Sequence, residues 1–306
     1  MDRTRIDALL GRIQAPTPGR EPDPRVKAVV DRIVHDLFHA IEDLDVTPSE
    51  FWTACAYLSE LGRSGEVGLL APGLGFEHFL DLRMDEAEAR AGLDPCATPR
   101  TIEGPLYVAG APVHEGQGRL DDGSDADAEP LFVSGVVRDG AGRPVPGAAV
   151  EVWHANSKGA YSVFDPAQSR FNGRGTIRTG ADGRYAFRSI VPCGYACPPD
   201  GPTQRLLDLL GRHGQRPAHI HFLVSARGFR RLTTQINIQD DPLIDDDFAF
   251  ATRDGLAPEI VRRSDPAALG ERGVDRPFAE IAFDFALAEA REGLPDDAVE
   301  RARVAA

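Results

Sequence analysis

Apolar positions in the first hundred residues recur every three or four residues, which is the period of an α-helix. One run follows Asp23 and Pro24, a pair typical of the N-cap and first position of a helix. Thr47 and Glu50 form a capping box before a second run, and a third run crosses residues 76–84. The pattern therefore predicts a helical N-terminal part, whose first run contains Val26, Val29, Ile33, Leu37, Ile41 and Leu44.

From about Pro105 the pattern changes to short apolar stretches bounded by glycine, proline, aspartate and asparagine, which is typical of β-strands. Residues 180–183 predict a hairpin turn before Arg184. Such spacing favours an antiparallel β-sandwich. The predicted fold class is α+β, with a helical domain over residues 1–104 and a sandwich over 105–306. The predicted strands cover 131–137, 148–154, 184–190, 218–225, 232–238 and 278–287.

The charge balance narrows the range of partners. The 306 residues include 34 lysine and arginine against 48 aspartate and glutamate, a net charge of −14. Nucleic acid and anionic membranes would be repelled by such a chain, so neither is expected as a partner. No apolar run is long enough for a transmembrane helix, and no secretory signal precedes the first helix, so we expect a cytoplasmic protein.

His219 and His221 stand one residue apart in the predicted strand 218–225. Alternate residues of a strand share a face, so both imidazoles can reach one metal ion. Arg216 and Pro217 add a cation and a rigid turn directly before the pair. The residues themselves leave two interpretations open, a metal site or two hydrogen-bonded histidines in a half-buried strand.

A second histidine pair, His35 and His39, has the spacing of the zinc-protease pattern His-Glu-x-x-His. Asp36 stands where that chemistry requires a glutamate, and the sequence offers no obvious third ligand. We therefore expect a pair on a helix surface or interface, and a zinc hydrolase is a remote alternative.

Tyr161 and Tyr195 lie in segments rich in glycine and proline, and loops on a rigid scaffold often carry functional side chains. Packing over loop glycines is the other interpretation. Together with the pair at 219 and 221, these segments resemble the intradiol ring-cleaving dioxygenases, specifically the catechol 1,2-dioxygenase branch. The resemblance extends over roughly residues 20–290, and its blocks are 98–112, 152–161, 189–204 and 216–222, with a further similar stretch at 73–82.

The resemblance implies one non-haem Fe(III) per subunit, held by Tyr161, Tyr195, His219 and His221. Tyr161 and His219 would be equatorial, and the other two axial. The implied reaction is substrate activation, in which catechol binds as a dianion in place of Tyr195 and is cleaved by O2 to cis,cis-muconate. Phenolate and imidazole are ligands that suit ferric iron.

The resemblance also implies roles for residues around the iron. Arg216 would stabilise negative charge that develops on the ring, and Gln235 would lie behind the ligands. An apolar wall favours an unsubstituted or alkylated ring, and therefore catechol. The wall residues implied are Leu69, Pro72, Ile102, Pro105, Leu106, Phe248 and Ala249.

Several alternatives stay open. Within the same chemistry, the chain could be a hydroxyquinol or chlorocatechol 1,2-dioxygenase. A non-catalytic sandwich that serves as a carrier or recognition module is the alternative outside enzymology. The resemblance further implies a homodimer formed through the N-terminal helices, in some family members around a phospholipid, and ordinary helix packing is the competing interpretation of their apolar faces.

Overall fold

The computed structural model describes residues 1–93 and 97–294. This described part contains seven α-helices and thirteen β-strands, in agreement with the predicted α+β class. The chain divides into two compact units, one over Met1–Ser64 and the other beginning at Gly65. The domain boundary expected after residue 104 stays a prediction.

The first unit is helical, and its helix starts follow the sequence signals. The Asp23 carboxylate accepts hydrogen bonds from the first turn of its helix, and Pro24 occupies the first helical position. The capping box is present, with the Thr47 amide donating to Glu50 Oε2 over 2.8 Å. The helices are α1 (Arg3–Ile13), α2 (Pro24–Asp43) and α3 (Pro48–Ser64).

Four further helices belong to the second unit. Pro72 and Gly73 at the end of α4 are buried, and Gly75, at a φ of 80°, leads directly into α5. The helix predicted over 76–84 is therefore confirmed as α5, whereas the sequence patterns did not predict α1, α4, α6 and α7. The helices of this unit are α4 (Val67–Gly73), α5 (Phe76–Arg90), α6 (Pro202–Leu209) and α7 (Pro266–Arg272).

Two sheets and a small ribbon complete the second unit. The strand order of the first sheet is β1-β5-β4-β9-β10. The order of the second sheet is β11-β12-β3-β6-β2, and β13 also pairs with β3. The ribbon consists of β7 paired with β8. The pairs of β4, β9 and β10 and the β3–β6 pair are antiparallel. The strands are β1 (Val113–Glu115), β2 (Gln117–Arg119), β3 (Pro130–Asp139), β4 (Ala149–His154), β5 (Arg174–Arg178), β6 (Arg184–Ile190), β7 (Tyr195–Ala196), β8 (Gln215–Arg216), β9 (His219–Ser225), β10 (Leu232–Asn237), β11 (Ile260–Arg263), β12 (Phe278–Ala282) and β13 (Phe285–Leu287).

Two local predictions were wrong. The stretch 278–287 forms two strands instead of one. Between them, the Asp284 carboxylate accepts a hydrogen bond from the Val136 amide over 2.8 Å, and the Phe283 carbonyl accepts one from the Tyr185 hydroxyl. The turn over 180–183 exists, but it connects β5 to β6, which lie in different sheets. It is therefore a crossing between the layers and not a hairpin.

The main hydrophobic core lies between the two sheets. Along β9, Ile220, Phe222 and Val224 belong to this core, where they meet side chains of the second sheet such as Val133 and Phe187. The residues between them point to the other face of the first sheet. That face carries the candidate site. Among the described residues, no helix is long and apolar enough to cross a membrane.

Candidate metal centre

His219 and His221 share the face of β9 that points away from the core. Their Nε2 atoms are 3.1 Å apart, and both side chains are buried. Nδ1 of His219 is 2.7 Å from the carbonyl oxygen of Pro217. A carbonyl can only accept, so this contact keeps the proton on Nδ1 and leaves Nε2 of His219 unprotonated beside the second imidazole.

Both imidazoles are kept neutral. Burial, together with the nearby guanidinium of Arg216, lowers the pKa of His219 to about 3. Burial also lowers the pKa of His221 well below its ordinary value, with the adjacent His219 as the next cause. Neutral imidazole is the form that binds metals, so the pair is ready for ligation near neutral pH.

A row of side chains crosses the first sheet through His221. The register pairs Arg174 with Trp153, Trp153 with His221, and His221 with Gln235. Cross-strand partners lie on one face of a sheet. The indole of Trp153 stacks on the His221 ring, with the ring centroids 4.8 Å apart and the planes 5° from parallel. This stacking fixes the orientation of the imidazole.

Tyr195 enters the site on the β7–β8 ribbon, where it is the register partner of Arg216. Its ring centroid is 5.5 Å from that of His219. Gly194 permits this approach, because a Cβ atom there would lie 2.4 Å from the carbonyl oxygen of Arg216. Tyr195 is half-buried, whereas the neighbouring imidazole is buried.

Tyr161 lies in the loop after β4, and its ring centroid is 5.5 Å from that of Tyr195. The loop packs closely on the ribbon at Gly159, which has a φ of 78° and faces the Gly194 carbonyl. Tyr161 Oη is buried and has no hydrogen-bond partner of good geometry among the described residues. Burial raises the pKa of this phenol well above its ordinary value, and the proximity of Tyr195 adds to the rise.

Arg216 is the charged centre beside these four side chains. Burial opposes its charge, but the carboxylate of Asp247, 3.0 Å away, raises the pKa of Arg216 above its ordinary value. Nη2 also donates to Gln235 Oε1 over 2.7 Å, and Nη1 donates to Nε2 of His219 over 3.0 Å. Gln235 in turn donates to Asn237 Oδ1 over 3.0 Å. The guanidinium is therefore held in one orientation.

These groups fit a ferric ion. Burying a phenol oxygen that has no hydrogen-bond partner costs free energy. Burial also opposes ionisation of the phenol, and a bound cation would reverse this by stabilising the phenolate. Two neutral imidazole nitrogens and two phenol oxygens form a mixed nitrogen and oxygen donor set, and anionic oxygen donors favour the higher charge of iron. Two phenolates would cancel most of the charge of Fe(III) in this buried setting.

Only four of the seven residues implied for the substrate wall pack together in one cluster. Pro72 lies next to Gly73, whose backbone approaches the Phe248 ring so closely that a Cβ atom there would be 3.0 Å from it. Leu106 packs with Tyr161 and Tyr195 instead. Pro105 is half-buried beside Gly104, whose Cβ position is 3.9 Å from the His221 ring. The members that pack together in one apolar cluster are Leu69, Ile102, Phe248 and Ala249.

Three residues of this region were not predicted from the sequence, namely Trp153, Arg174 and Asp247. Arg174 is buried, its guanidinium carbon is 5.5 Å from the centre of the Tyr161 ring, and its Nη2 has no partner among the described residues. Asp247 also lines a cavity of about 470 Å³ together with His78. Alternation within β4 could have placed Trp153 on the site face, whereas no local pattern marks the other two.

Comparisons with known proteins identify the family of this chain. Two family models match, one described as Dioxygenase over residues 102–289 and one as Catechol dioxygenase N terminus over residues 23–92. Catechol 1,2-dioxygenase 2 of Acinetobacter lwoffii is 64% identical over 260 residues, which are 85% of this chain and 94% of that protein. Hydroxyquinol 1,2-dioxygenase of Nocardioides simplex is 36% identical and covers 88% of this chain and 90% of its own.

A solved structure shows the same fold over the full length. The crystal structure of wild-type Acinetobacter radioresistens catechol 1,2-dioxygenase has a TM-score of 0.95 and 51% identity, and covers 100% of this chain and 99% of its own. The two family models together span most of the sequence. The chain therefore belongs to the intradiol ring-cleaving dioxygenases, in the catechol 1,2-dioxygenase branch.

Proposed function

We propose that this protein cleaves catechol with O2 between its two hydroxylated carbons, giving cis,cis-muconate, at one Fe(III) per subunit. The observation that carries the proposal is the meeting of two neutral, buried imidazoles with two phenols, one of which has no hydrogen-bond partner of good geometry among the described residues. A sandwich that served only as a carrier would have no need for such costly buried groups. The residues proposed as ligands are Tyr161, Tyr195, His219 and His221.

Bound ferric iron would supply a Lewis acid that accepts both catechol oxygens and makes the ring reactive towards O2. Tyr195 is the ligand suited to leave, because it is half-buried on a two-residue strand while Tyr161 is buried. Its phenolate oxygen can then take one hydroxyl proton from the substrate, which is general-base catalysis.

Arg216 provides a fixed positive charge for the negative charge that develops on the ring carbon. One lone pair cannot serve two partners, so ligation by Nε2 of His219 would release Nη1 of Arg216 from the bond that it makes there. Asp247 and Gln235 would still hold the rest of the guanidinium. Arg216 thereby gains a free donor at the position where substrate charge develops.

Catechol is the proposed substrate because the wall is apolar. Leu69, Ile102 and Phe248 offer no side-chain hydrogen-bond partner to a third ring hydroxyl. Leaving such a hydroxyl unpaired costs about 1–3 kcal/mol, or roughly tenfold to a hundredfold in kcat/KM. The higher identity to a catechol enzyme than to a hydroxyquinol enzyme supports the same choice.

The test is an anaerobic titration of the iron-containing protein with catechol, hydroxyquinol and 4-chlorocatechol. Catechol should shift the visible absorption band at one equivalent per iron, and admission of O2 should then produce the ultraviolet band of the ring-opened product. Hydroxyquinol should show the lower kcat/KM. A protein that binds iron without visible absorption, or that prefers hydroxyquinol, would contradict the proposal.

We also propose a homodimer formed through the N-terminal helices. The apolar stripe of α2 is solvent-exposed in one chain, and Val26, Ile33 and Leu37 are each more than half exposed. A stripe of this size on a single helix is typical of an interface. Light scattering should give twice the chain mass, and Ile33→Lys with Leu37→Lys should shift it towards the monomer, whereas Arg32→Lys on another face should not.

We further propose that a phospholipid binds to these apolar helix faces. Organic extraction of the purified protein followed by phosphate analysis tests it, with lipid phosphate that copurifies with the protein as the expected result and its absence as the contrary one. A cytoplasmic location stays a prediction from the sequence.

A further inference from the structure

The α1–α2 helix pair brings together three metal-binding side chains that the dioxygenase chemistry does not use. Donor atoms of Asp7, His35 and His39 all lie within 4.8 Å of one another. Asp7 Oδ1 is 3.4 Å from Nε2 of His39, and the two imidazole centroids are 4.4 Å apart. The sequence offered the two histidines at helical spacing, and the antiparallel neighbour α1 adds the carboxylate.

The two helices that carry the three donors are tied together on both sides of the cluster. Arg3 of α1 pairs with Asp43 of α2 over 3.1 Å near one end of the helix pair. Gln14, after the last turn of α1, donates to the carbonyl oxygen of Asp31 over 2.8 Å near the other end. The Asp7–His39 contact lies between these two ties. The two helices therefore need little rearrangement to present their ligands.

Asp36 provides the partner that metal-bound imidazoles usually have. Its Oδ1 is 3.1 Å from Nδ1 of His35, while its Oδ2 accepts from Arg32 over 2.8 Å. A proton on Nδ1 of His35 satisfies this contact and leaves Nε2 free to ligate. His39 is largely buried, and its Nδ1 has no hydrogen-bond partner among the described residues.

The cluster does not compete with the proposed dimer. At 100° per residue, His35 and His39 fall on roughly the opposite side of α2 from Ile33 and Leu37. A second copy that packs on the apolar stripe would leave this side uncovered. The ligands stay accessible in the dimer.

We propose that Asp7, His35 and His39 bind one divalent transition-metal ion of the zinc type, which fastens α1 to α2. Two imidazoles and one carboxylate suit Zn²⁺, Ni²⁺ or Cu²⁺, whereas Mg²⁺ and Ca²⁺ prefer all-oxygen sites. The ion would be structural. Asp36 stands where the zinc-protease pattern has its glutamate base, and it is engaged by Arg32 and His35.

The test uses the iron-containing protein after treatment with a chelator that leaves the iron band unchanged. Equilibrium dialysis against Zn²⁺ should add one zinc per chain without loss of iron, and Zn²⁺ should raise the melting temperature. Mg²⁺ should do neither. His39→Ala and the exposed Asp7→Asn should abolish the retained zinc, and Asp36→Asn should weaken it about tenfold to a hundredfold.

His213→Ala is the matched control. His213 also faces a carboxylate, with Nε2 3.0 Å from Asp246, but it belongs to no three-donor group in the described part of the chain. This variant should retain zinc as the wild type does. The proposal would be overturned if the wild type bound no zinc in addition to its iron, or if Asp7→Asn bound as much zinc as the wild type. The second result would be decisive because Asp7→Asn alters an exposed side chain and leaves the core intact.

Discussion

Asp247 holds Arg216 in a buried ion pair and, with the same carboxylate, fixes the loop that carries Phe248 and Ala249. Its oxygens lie 3.1 Å from Nε and 3.0 Å from Nη2 of Arg216. They also accept the backbone amides of Ala249 and Ala251 over 3.0 and 3.3 Å. One side chain therefore positions both the proposed charge stabiliser and part of the substrate wall.

Asp247→Asn should lower kcat/KM for catechol by about tenfold to a hundredfold and destabilise the protein by about 3 kcal/mol. The reason is that removing one charge of a buried pair leaves the other without compensation. Steady-state kinetics and denaturant unfolding measure the two effects. Because the Asp247 carboxylate bonds to Arg216 and to backbone amides rather than to the proposed ligands, the visible iron band should keep most of its intensity.

Asp246→Asn is the control for this variant, since Asp246 is the exposed neighbour that pairs with His213. It should behave like the wild type in both measurements. An Asp247→Asn protein with unchanged kinetics would refute the positioning role.

Tyr195→Phe should remove a large part of the tyrosinate-to-iron absorption and slow turnover by about a hundredfold or more. The variant loses both a phenolate ligand and the oxygen proposed to accept a substrate proton. Visible spectroscopy on protein of known iron content checks the first effect. Tyr185→Phe, which removes a buried phenol bonded to the Phe283 carbonyl, should keep the colour. Unchanged absorption in Tyr195→Phe would exclude Tyr195 as a ligand.

The shared face of the two histidines was predictable because alternation in a strand is a local rule. His219 and His221 had to share a face, and the structure confirms it. The proposed role of Tyr161 and Tyr195 as ligands, like that of the two histidines, came from the family resemblance, since loop positions follow no period. Arg174 and Asp247 were missed because their places depend on the register of β5 with β4 and on a distant loop. Such long-range pairing leaves no mark on neighbouring residues.

The wrong local predictions have a similar origin. Apolar residues fill 278–287 apart from Glu280 and Asp284, which predicts one strand. The structure divides it where the Asp284 side chain accepts a hydrogen bond from the Val136 amide. Gly180 and Gly183 do make a turn, with the Gly183 amide bonded to the Gly180 carbonyl over 3.0 Å. Whether a turn closes a hairpin or leads to the other sheet is decided by the partners of its strands, not by its own residues.

Arg174→Gln should shift the visible band to longer wavelength. The guanidinium of Arg174 is 5.5 Å from the centre of the Tyr161 ring, and its positive charge lowers the energy of a phenolate there. Without that charge, the phenolate becomes a better electron donor and the transition to iron needs less energy. Absorption spectra measured at equal iron content test this, with the exposed Arg170→Gln nearby as control. A band that stays in place would show that Arg174 has only a packing role.

His154 should make the stability of the metal-free protein depend on acidity. It is buried, with Nδ1 2.7 Å from the Ala155 carbonyl oxygen and Nε2 2.7 Å from the Ser189 hydroxyl, and burial lowers its pKa to about 4. The unfolded chain, with an ordinary histidine pKa near ~6.5, binds this proton more readily than the folded one. The stabilisation is complete above pH ~6.5 and is lost as the pH falls towards about 4, a difference of about 3 kcal/mol. Denaturant unfolding at several pH values should therefore give a shallower slope for His154→Gln than for the wild type or for the half-buried control His213→Gln. Equal slopes for all three would mean that the pKa of His154 is the same in the folded and the unfolded chain, and would contradict the prediction.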